Sequence, residues 1–316
     1  MITNDILIHI GYQKTGTTWL QKHFFNNNEL GFHHPIHRRE LVDRFIAPPP
    51  FNFDVHTCSS YVQQILEESA DSSLFPVISR ERLSGHTHRG GYDSKEIADR
   101  LASVFEHPKI LIVIREQVSM ILSTYNEYVQ NGGTLSLQRY MVHRVQAPYS
   151  HDFEFIRFQY HRLIVYYREL FGSKNILVLP YEQFRIDPHL FFKAIAALCN
   201  RTITQEQIDL LPFHSAEKQS WSQPSVQLMY RINRFVCAEG PLNSRPIFLV
   251  NRAYYKNGVQ KPVRMLANKI PRSFHEKGVA NAIELISEQV GDFYRESNIT
   301  TAELTGLDLR HFGYAT

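Results

Sequence analysis

The chain has 316 residues, 43% of them hydrophobic and 21% charged, which suits a soluble globular protein with one large α/β core or two small ones. Its formal net charge of +3 is too small to indicate a partner, and no stretch approaches the ~20 apolar residues needed to span a bilayer. Cys58, Cys199 and Cys237 are isolated, with neither zinc spacing nor a disulfide framework, as expected in a reducing cytoplasm.

The first residues, Met1-Ile2-Thr3-Asn4-Asp5, lack a basic leader, so no signal peptide is expected. Ile6 to Ile10 reads as a central strand buried on both faces. Gly11 and Gly16 allow the torsions of a tight loop. Thr17 or Thr18 is expected to cap a helix through Trp19, Leu20 and Phe24. Such a loop aims backbone N–H groups and a helix N-terminus at one spot, and Lys14 adds a full charge. That is an anion site, most simply for phosphate or sulfate.

Residues 31–40 read as a basic loop, and Pro48-Pro49-Pro50 stops any helix begun at Glu40. A short helix is expected over 60–69, a strand over 74–79, a Gly- and His-rich loop over 84–92 and a helix over 94–105. Lys109 to Ile114 is a continuous apolar run and a second central strand. Helices are expected over 117–129, 135–143 and 152–171, the last with Ile156, Tyr160, Leu163 and Tyr167 on one face. A strand over 175–180 precedes Asp187-Pro188, which starts a helix ending near Cys199. Strands alternating with helices predict a central parallel β-sheet flanked by helices, an α/β fold. Beyond Ile208 the alternation stops. Helices are expected over 223–238 and 280–295, so the C-terminal part is mostly helical, and the segment 241–259 has no clear period. We read a single domain over 1–316, with a nucleotide-binding core at about 5–200 and an acceptor and closing region at about 201–316.

The glycine spacing matches half of a Walker loop, but Thr17 stands where the Walker lysine belongs and Lys14 precedes the second glycine. Gln13-Lys14-Thr15-Gly16-Thr17-Thr18-Trp19 after a hydrophobic strand resembles the 5′-phosphosulfate loop of sulfotransferases. These enzymes use 3′-phosphoadenosine 5′-phosphosulfate (PAPS) and release PAP. A second stretch agrees. Arg115 follows a buried strand at the edge where doubly wound sheets bind ligands, and Ser123 lies eight residues on, two turns into the next helix. A guanidinium and a hydroxyl so spaced suit a phosphate monoester. The pair is similar to the family's 3′-phosphate motif. The resemblance also implies that Tyr181, of Tyr181-Glu182, lies near the nucleotide; the alternative is a ring packed at a strand end. Glu182 reads as a helix-start residue. Lys256-Asn257-Gly258, or the segment 214–223 with Lys218 and Trp221, is a weak counterpart of the family's closing Arg-Lys-Gly.

The implied reaction is in-line transfer of a sulfuryl group from PAPS to a hydroxyl or amine, with Lys14 offsetting charge on the leaving phosphate. No metal is required, and no carboxylate pair has metal spacing. The acceptor's proton needs a base. Glu81, after the strand at 74–79, ranks first because a strand end is rigid. Glu40 and His86 follow, with His88 and His34 also candidates. Residues 252–277 carry Arg252, Lys256, Lys261, Arg264, Lys269, Arg272 and Lys277 against one acid, Glu276. This is either a solvated basic face or a funnel for an anionic acceptor such as an acidic glycan. A carbohydrate or cell-surface acceptor is favoured over a small phenol. The competing readings are a P-loop kinase or NTPase, and a non-catalytic nucleotide- or glycan-binding module. Nucleic-acid binding lacks a recognition motif. Oligomeric state is not legible.

Overall fold

Five parallel strands make the main sheet, in the order β2-β3-β1-β4-β5, with β1 Leu7–His9, β2 Phe32–His33, β3 Phe75–Ser79, β4 Lys109–Ile114 and β5 Ile176–Pro180. The structure is a computed structural model that describes residues 1–3, 5–68, 73–142, 152–213, 221–238, 247–267 and 269–316. The chain divides into two compact units. Unit 1 is Met1–Glu116, Ile156–Glu217 and Phe293–Thr316; unit 2 is Gln117–Phe155 and Lys218–Asp292.

Unit 1 holds the sheet. Side chains alternate along a strand, so Leu7, Val77, Leu111, Val113 and Leu179 share one face. Onto that face pack Trp19, Phe24, Phe32, Phe191, Phe192 and Ile195, the aromatic half of the core. The alternate positions Ile8, Ile78, Ile110, Ile112 and Ile114 are equally buried. Burial on both faces is why these strands read as continuous apolar runs.

Unit 2 holds the helix Gln117–Gln130, the short helix Leu137–Met141, the helix Gln223–Ile232, a pair of parallel strands β6 Val236–Ala238 and β7 Phe248–Val250, and the helices Lys261–Ala267 and Arg272–Val290. Among the described residues no helix is long and apolar enough to cross a membrane.

Four of the five sheet strands, β1, β3, β4 and β5, fall within a residue or so of expectation, while β2 is not among the expected strands and several other elements differ for physical reasons. Within 31–40, Phe32 is fully buried and pairs β2 with β3, and a helix at Arg38–Leu41 continues as a wider turn to Ile46. The helix expected at 60–69 begins at Val55, because the Asp54 carboxylate accepts the His56 and Thr57 N–H groups; its predicted end, Ser69, lies outside the described residues. The helix expected over 135–143 is Leu137–Met141, capped by Ser136, and His143 lies outside the described residues. Residues 84–92 contain tight 3₁₀ turns rather than plain loop. The helix expected from Asp152 starts at Tyr160. Before it, Phe155–Phe158 is a 3₁₀ turn that buries Arg157 and Phe158 and leaves Ile156 42% exposed, so the apolar period does not extend upstream.

The expected helix 223–238 stops at Ile232. Buried Asn233 donates to the Val129 and Gly133 carbonyls (2.8 and 2.9 Å), and its carbonyl accepts the Tyr255 hydroxyl at 2.5 Å. Such a side chain bonds the backbone of other segments and ends the helix. The helix expected over 280–295 runs Arg272–Val290 instead and stops at Gly291, whose φ is 48°. It is not the last: Arg295–Thr305 follows, burying Ser297, Asn298 and Thr301. Ser297 meets His161 Nδ1 at 2.8 Å, and Asn298 donates to the Ala315 carbonyl at 2.8 Å. An inward face made of polar residues escapes a search for apolar periodicity. In the stretch without period, β7 is followed by helical residues 252–260, while 241–246 lie outside the described residues.

Candidate active site

The loop after β1 is built by its neighbours. The N–H groups of Ile10 and Tyr12 continue the ladder to the Leu111 and Val113 carbonyls of β4, both at 3.1 Å. The Thr15 hydroxyl then donates back to the Tyr12 carbonyl at 2.5 Å, which closes the turn. Gly16, at φ 79°, is the N-cap of the helix that starts at Thr17–Trp19 and continues to Phe24. This corrects the expected threonine cap: no side chain caps this helix, because Thr15 is engaged with Tyr12 and Thr17 already lies in the first turn. The Thr17 and Thr18 N–H groups at the helix start have no intrahelical acceptor, while the Trp19 N–H donates to the Gly16 carbonyl at 2.9 Å. Two buried acceptor-capable atoms of the loop, Thr17 Oγ1 and Gln13 Oε1, have no hydrogen-bond partner among the described residues. Such groups call for a ligand or water. Trp19 is buried in the aromatic core, stacked on Phe213 (5.4 Å, 12°), with its ring N–H on the Pro212 carbonyl. Thr18 is half-buried beside it.

Lys14 sits at φ 68°, a left-handed conformation that costs a side-chain-bearing residue about 1–2 kcal/mol. Its carbonyl accepts a hydrogen bond from Arg115 Nη1 at 2.9 Å. Arg115 is in turn framed. Its guanidinium lies 5.1 Å from the Tyr181 ring, and its carbonyl accepts the Tyr160 hydroxyl at 2.5 Å. The Tyr181 ring also lies against the loop, since a methyl on Gly16 would stand 3.2 Å from it. Lys14, Gly16, Arg115 and Tyr181 are thus brought together from three strand ends. Glu182 underpins them: it accepts the Glu116 N–H and the Tyr314 hydroxyl, both at 3.1 Å, and burial raises its pKa.

The segment after β3 adds a second wall. His88 is buried, and burial together with the Lys14 ammonium brings its pKa down to about 4. His86 is also brought down to about 4, by burial and then by Arg82, and its N–H donates to Asp93 at 2.9 Å. Asp93 pairs with Arg82 as well, so it pins both ends of this turn. Beneath lies Arg157, whose guanidinium donates to Ser84 (2.8 Å) and Ser94 (3.0 Å) and stacks 4.6 Å from the Tyr12 ring. Arg157 and Tyr160 carry no motif, and nothing local in the sequence marks them.

Glu81, Glu40, His34 and Ser123 complete the set of candidates. Glu81 is ion-paired with Arg80 at 3.1 Å. Glu40 is paired with Arg44 at 3.2 Å. His34 is brought down to about 4, chiefly by burial, and its charge in turn lowers the pKa of His9. Ser123 is half-buried in the second turn of Gln117–Gln130, in unit 2. Lys218 and the rest of 214–220 lie outside the described residues. Among the described residues no group of three or more His, Cys, Asp or Glu is arranged to hold a metal ion.

The sequence matches the family model described as "Sulfotransferase domain" over residues 3–233. Among solved structures the chain is similar to a sulfotransferase from Alicyclobacillus acidocaldarius, with 17% identity, 74% of this chain and 93% of that chain covered, and a TM-score of 0.44. It is also similar to a mouse sulfotransferase complexed with PAP, with 14% identity, 96% and 90% covered, and a TM-score of 0.33. No curated protein matches it. The family match spans the Lys14 loop, Arg115 and Tyr181, and on that match the chain belongs to the sulfotransferase family.

Proposed function

We propose that this enzyme, one sulfotransferase domain over 1–316, moves the sulfuryl group of PAPS to a hydroxyl of a carbohydrate or cell-surface glycan. The observation that carries the reading is the junction of Lys14, Arg115 and Tyr181 at the ends of β1, β4 and β5. When bound, PAPS supplies an activated sulfuryl group on a phosphate leaving group. The bond from sulfur to the bridging oxygen of that phosphate breaks as the bond from the acceptor oxygen to sulfur forms, in line. Lys14, the loop N–H groups and the helix N-terminus stabilise the charge that builds on the bridging oxygen. Gln13, Thr15, Gly16, Thr17, Thr18 and Trp19 form the rest of this cradle. Two buried oxygens without a hydrogen-bond partner among the described residues, Thr17 Oγ1 and Gln13 Oε1, suit a ligand here. Arg115 and Ser123 take the 3′-phosphate, and Tyr181 flanks the nucleotide.

For the acceptor's proton we put His88 first, ahead of Glu81, His86 and Glu40. Its imidazole is neutral at pH 7 and lies under the influence of Lys14. An anion on Lys14 removes that repulsion, so the imidazole becomes the stronger base when the donor site is filled. Glu81 and Glu40 already hold arginines. The basic segment 252–277 supports an anionic acceptor. Three buried, unbridged cysteines support a cytoplasmic location.

A thermal-shift titration with PAP, against ATP and GTP with magnesium, tests the reading. A ligand at a hundred times its Kd should stabilise the native state by about 2.7 kcal/mol. A shift with PAP is expected; a shift with ATP alone would overturn the proposal in favour of a kinase.

A further inference from the structure

A cavity of about 470 Å³ in unit 2 is lined by Trp221, Lys256, Lys261, Arg264, Gln130 and Gln260, among others. That volume falls within the range of about 300–1,000 Å³ typical of small-molecule sites. We propose that this cavity is a subsite for an anionic sugar unit of the acceptor, one carrying a sulfate or a carboxylate. The proposal rests on the sulfotransfer reading above and adds to it the place where the acceptor chain is held.

The charge is one-sided. Among the described residues no carboxylate lines the cavity. The single acid of the surrounding segment, Glu276, is paired with Arg272 at 2.9 Å, and among the described residues no acid pairs with Lys256, Lys261 or Arg264. Three cations with no acidic partner among the described residues repel one another around one concavity, so an anion is stabilised there. The Arg264 guanidinium lies 5.7 Å from the Trp221 ring. Trp221 is itself buried with the guanidinium over its ring, so the ring orients the fork, and the fork suits two oxygens of an acidic group on a sugar. The amides of Gln130 and Asn257 remain for hydroxyl groups.

The wall is also anchored from within. Lys256 and Gln260 belong to the π-helical segment Tyr255–Gln260, an irregularity frequent at functional sites. Tyr255 is buried, and its hydroxyl donates to Asn233, which is bonded to the Val129 and Gly133 carbonyls. Gln260 donates to the Gln130 carbonyl at 2.6 Å. The cationic side chains therefore rise from a backbone held by buried hydrogen bonds, which limits the ordering cost on binding.

The test is calorimetric titration of the full chain with a heparin-derived tetrasaccharide and with maltotetraose, a neutral counterpart. Wild type, Lys261→Glu, Arg264→Glu and the double variant are compared, and each is also scored for its thermal shift with PAP. We expect the sulfated tetrasaccharide alone to bind, more weakly as salt rises. The double variant should bind it about tenfold more weakly or worse while its PAP shift is retained. Equal binding of the two tetrasaccharides, or an unchanged Kd in the double variant, would overturn the proposal. Loss of the PAP shift in these variants would also overturn it, by assigning the cations to the nucleotide. Absence of a PAP shift in the wild type would sink the sulfotransfer reading instead, and the tetrasaccharide titration would still judge the cavity.

Discussion

The Arg115 guanidinium donates to the main-chain carbonyl of Lys14 at 2.9 Å, across 101 residues of sequence. One arginine is thereby tied to the loop that holds the other cation of the site. The bond also holds Lys14 in its left-handed conformation, φ 68°, which needs such support to persist.

Arg115→Ala removes this bond together with the stack on Tyr181. A hydrogen bond from a charged donor contributes about 1.5–3 kcal/mol, so PAP affinity should fall about tenfold to a hundredfold. Arg115→Lys should restore little, because a point charge has no fork to span the carbonyl and the ring. Calorimetry with PAP checks both; full rescue by lysine would leave Arg115 as a simple charge.

Lys14→Ala should lower turnover by about 10²–10³, the loss typical of one oxyanion-stabilising donor. Turnover should fall more than PAP affinity, because the charge that Lys14 meets is greatest in the transition state. Single-turnover rates with PAPS separate the two. Near-normal turnover would remove Lys14 from the mechanism.

Gly16→Ala places a side chain at φ 79° and 3.2 Å from the Tyr181 ring. The backbone term alone costs about 1–2 kcal/mol. Gly11→Ala is expected to be worse, since its methyl would meet His9 Nε2 at 2.6 Å and His9 is fully buried. Urea titration should rank the variants wild type, Gly16→Ala, Gly11→Ala in falling stability, and the reverse order for the last two would contradict the packing.

Stability should fall in mild acid. His9 and His88 are fully or nearly fully buried, with pKa values brought down to about 3 and about 4. In the unfolded chain each takes up a proton near pH 6.5. The unfolded state therefore binds more protons below about pH 6.5, and stability drops as the pH falls from there toward 4. At pH 5 each histidine accounts for a loss of about 2 kcal/mol, large against the ~5–15 kcal/mol of a typical domain. His88→Gln should flatten the slope by about one proton. A melting temperature constant from pH 7 to 4.5 would refute this account.

The sequence by itself determined the four longer sheet strands, the glycine-and-lysine loop after the first, and the arginine that ends the strand at 109–114. Each is a local signal: a β-branched run between turn residues, or a spacing that one loop geometry requires. Only the tertiary structure decided the strand order, the bond between Arg115 and the Lys14 carbonyl, and the effect of Lys14 on His88. It also decided that Arg157 lies buried beneath the site, and that the last long helix turns Ser297, Asn298 and Thr301 inward. The reason is the same in each case. These are pairings between residues far apart in the chain, and what one side chain meets across the core leaves no periodicity in its own segment.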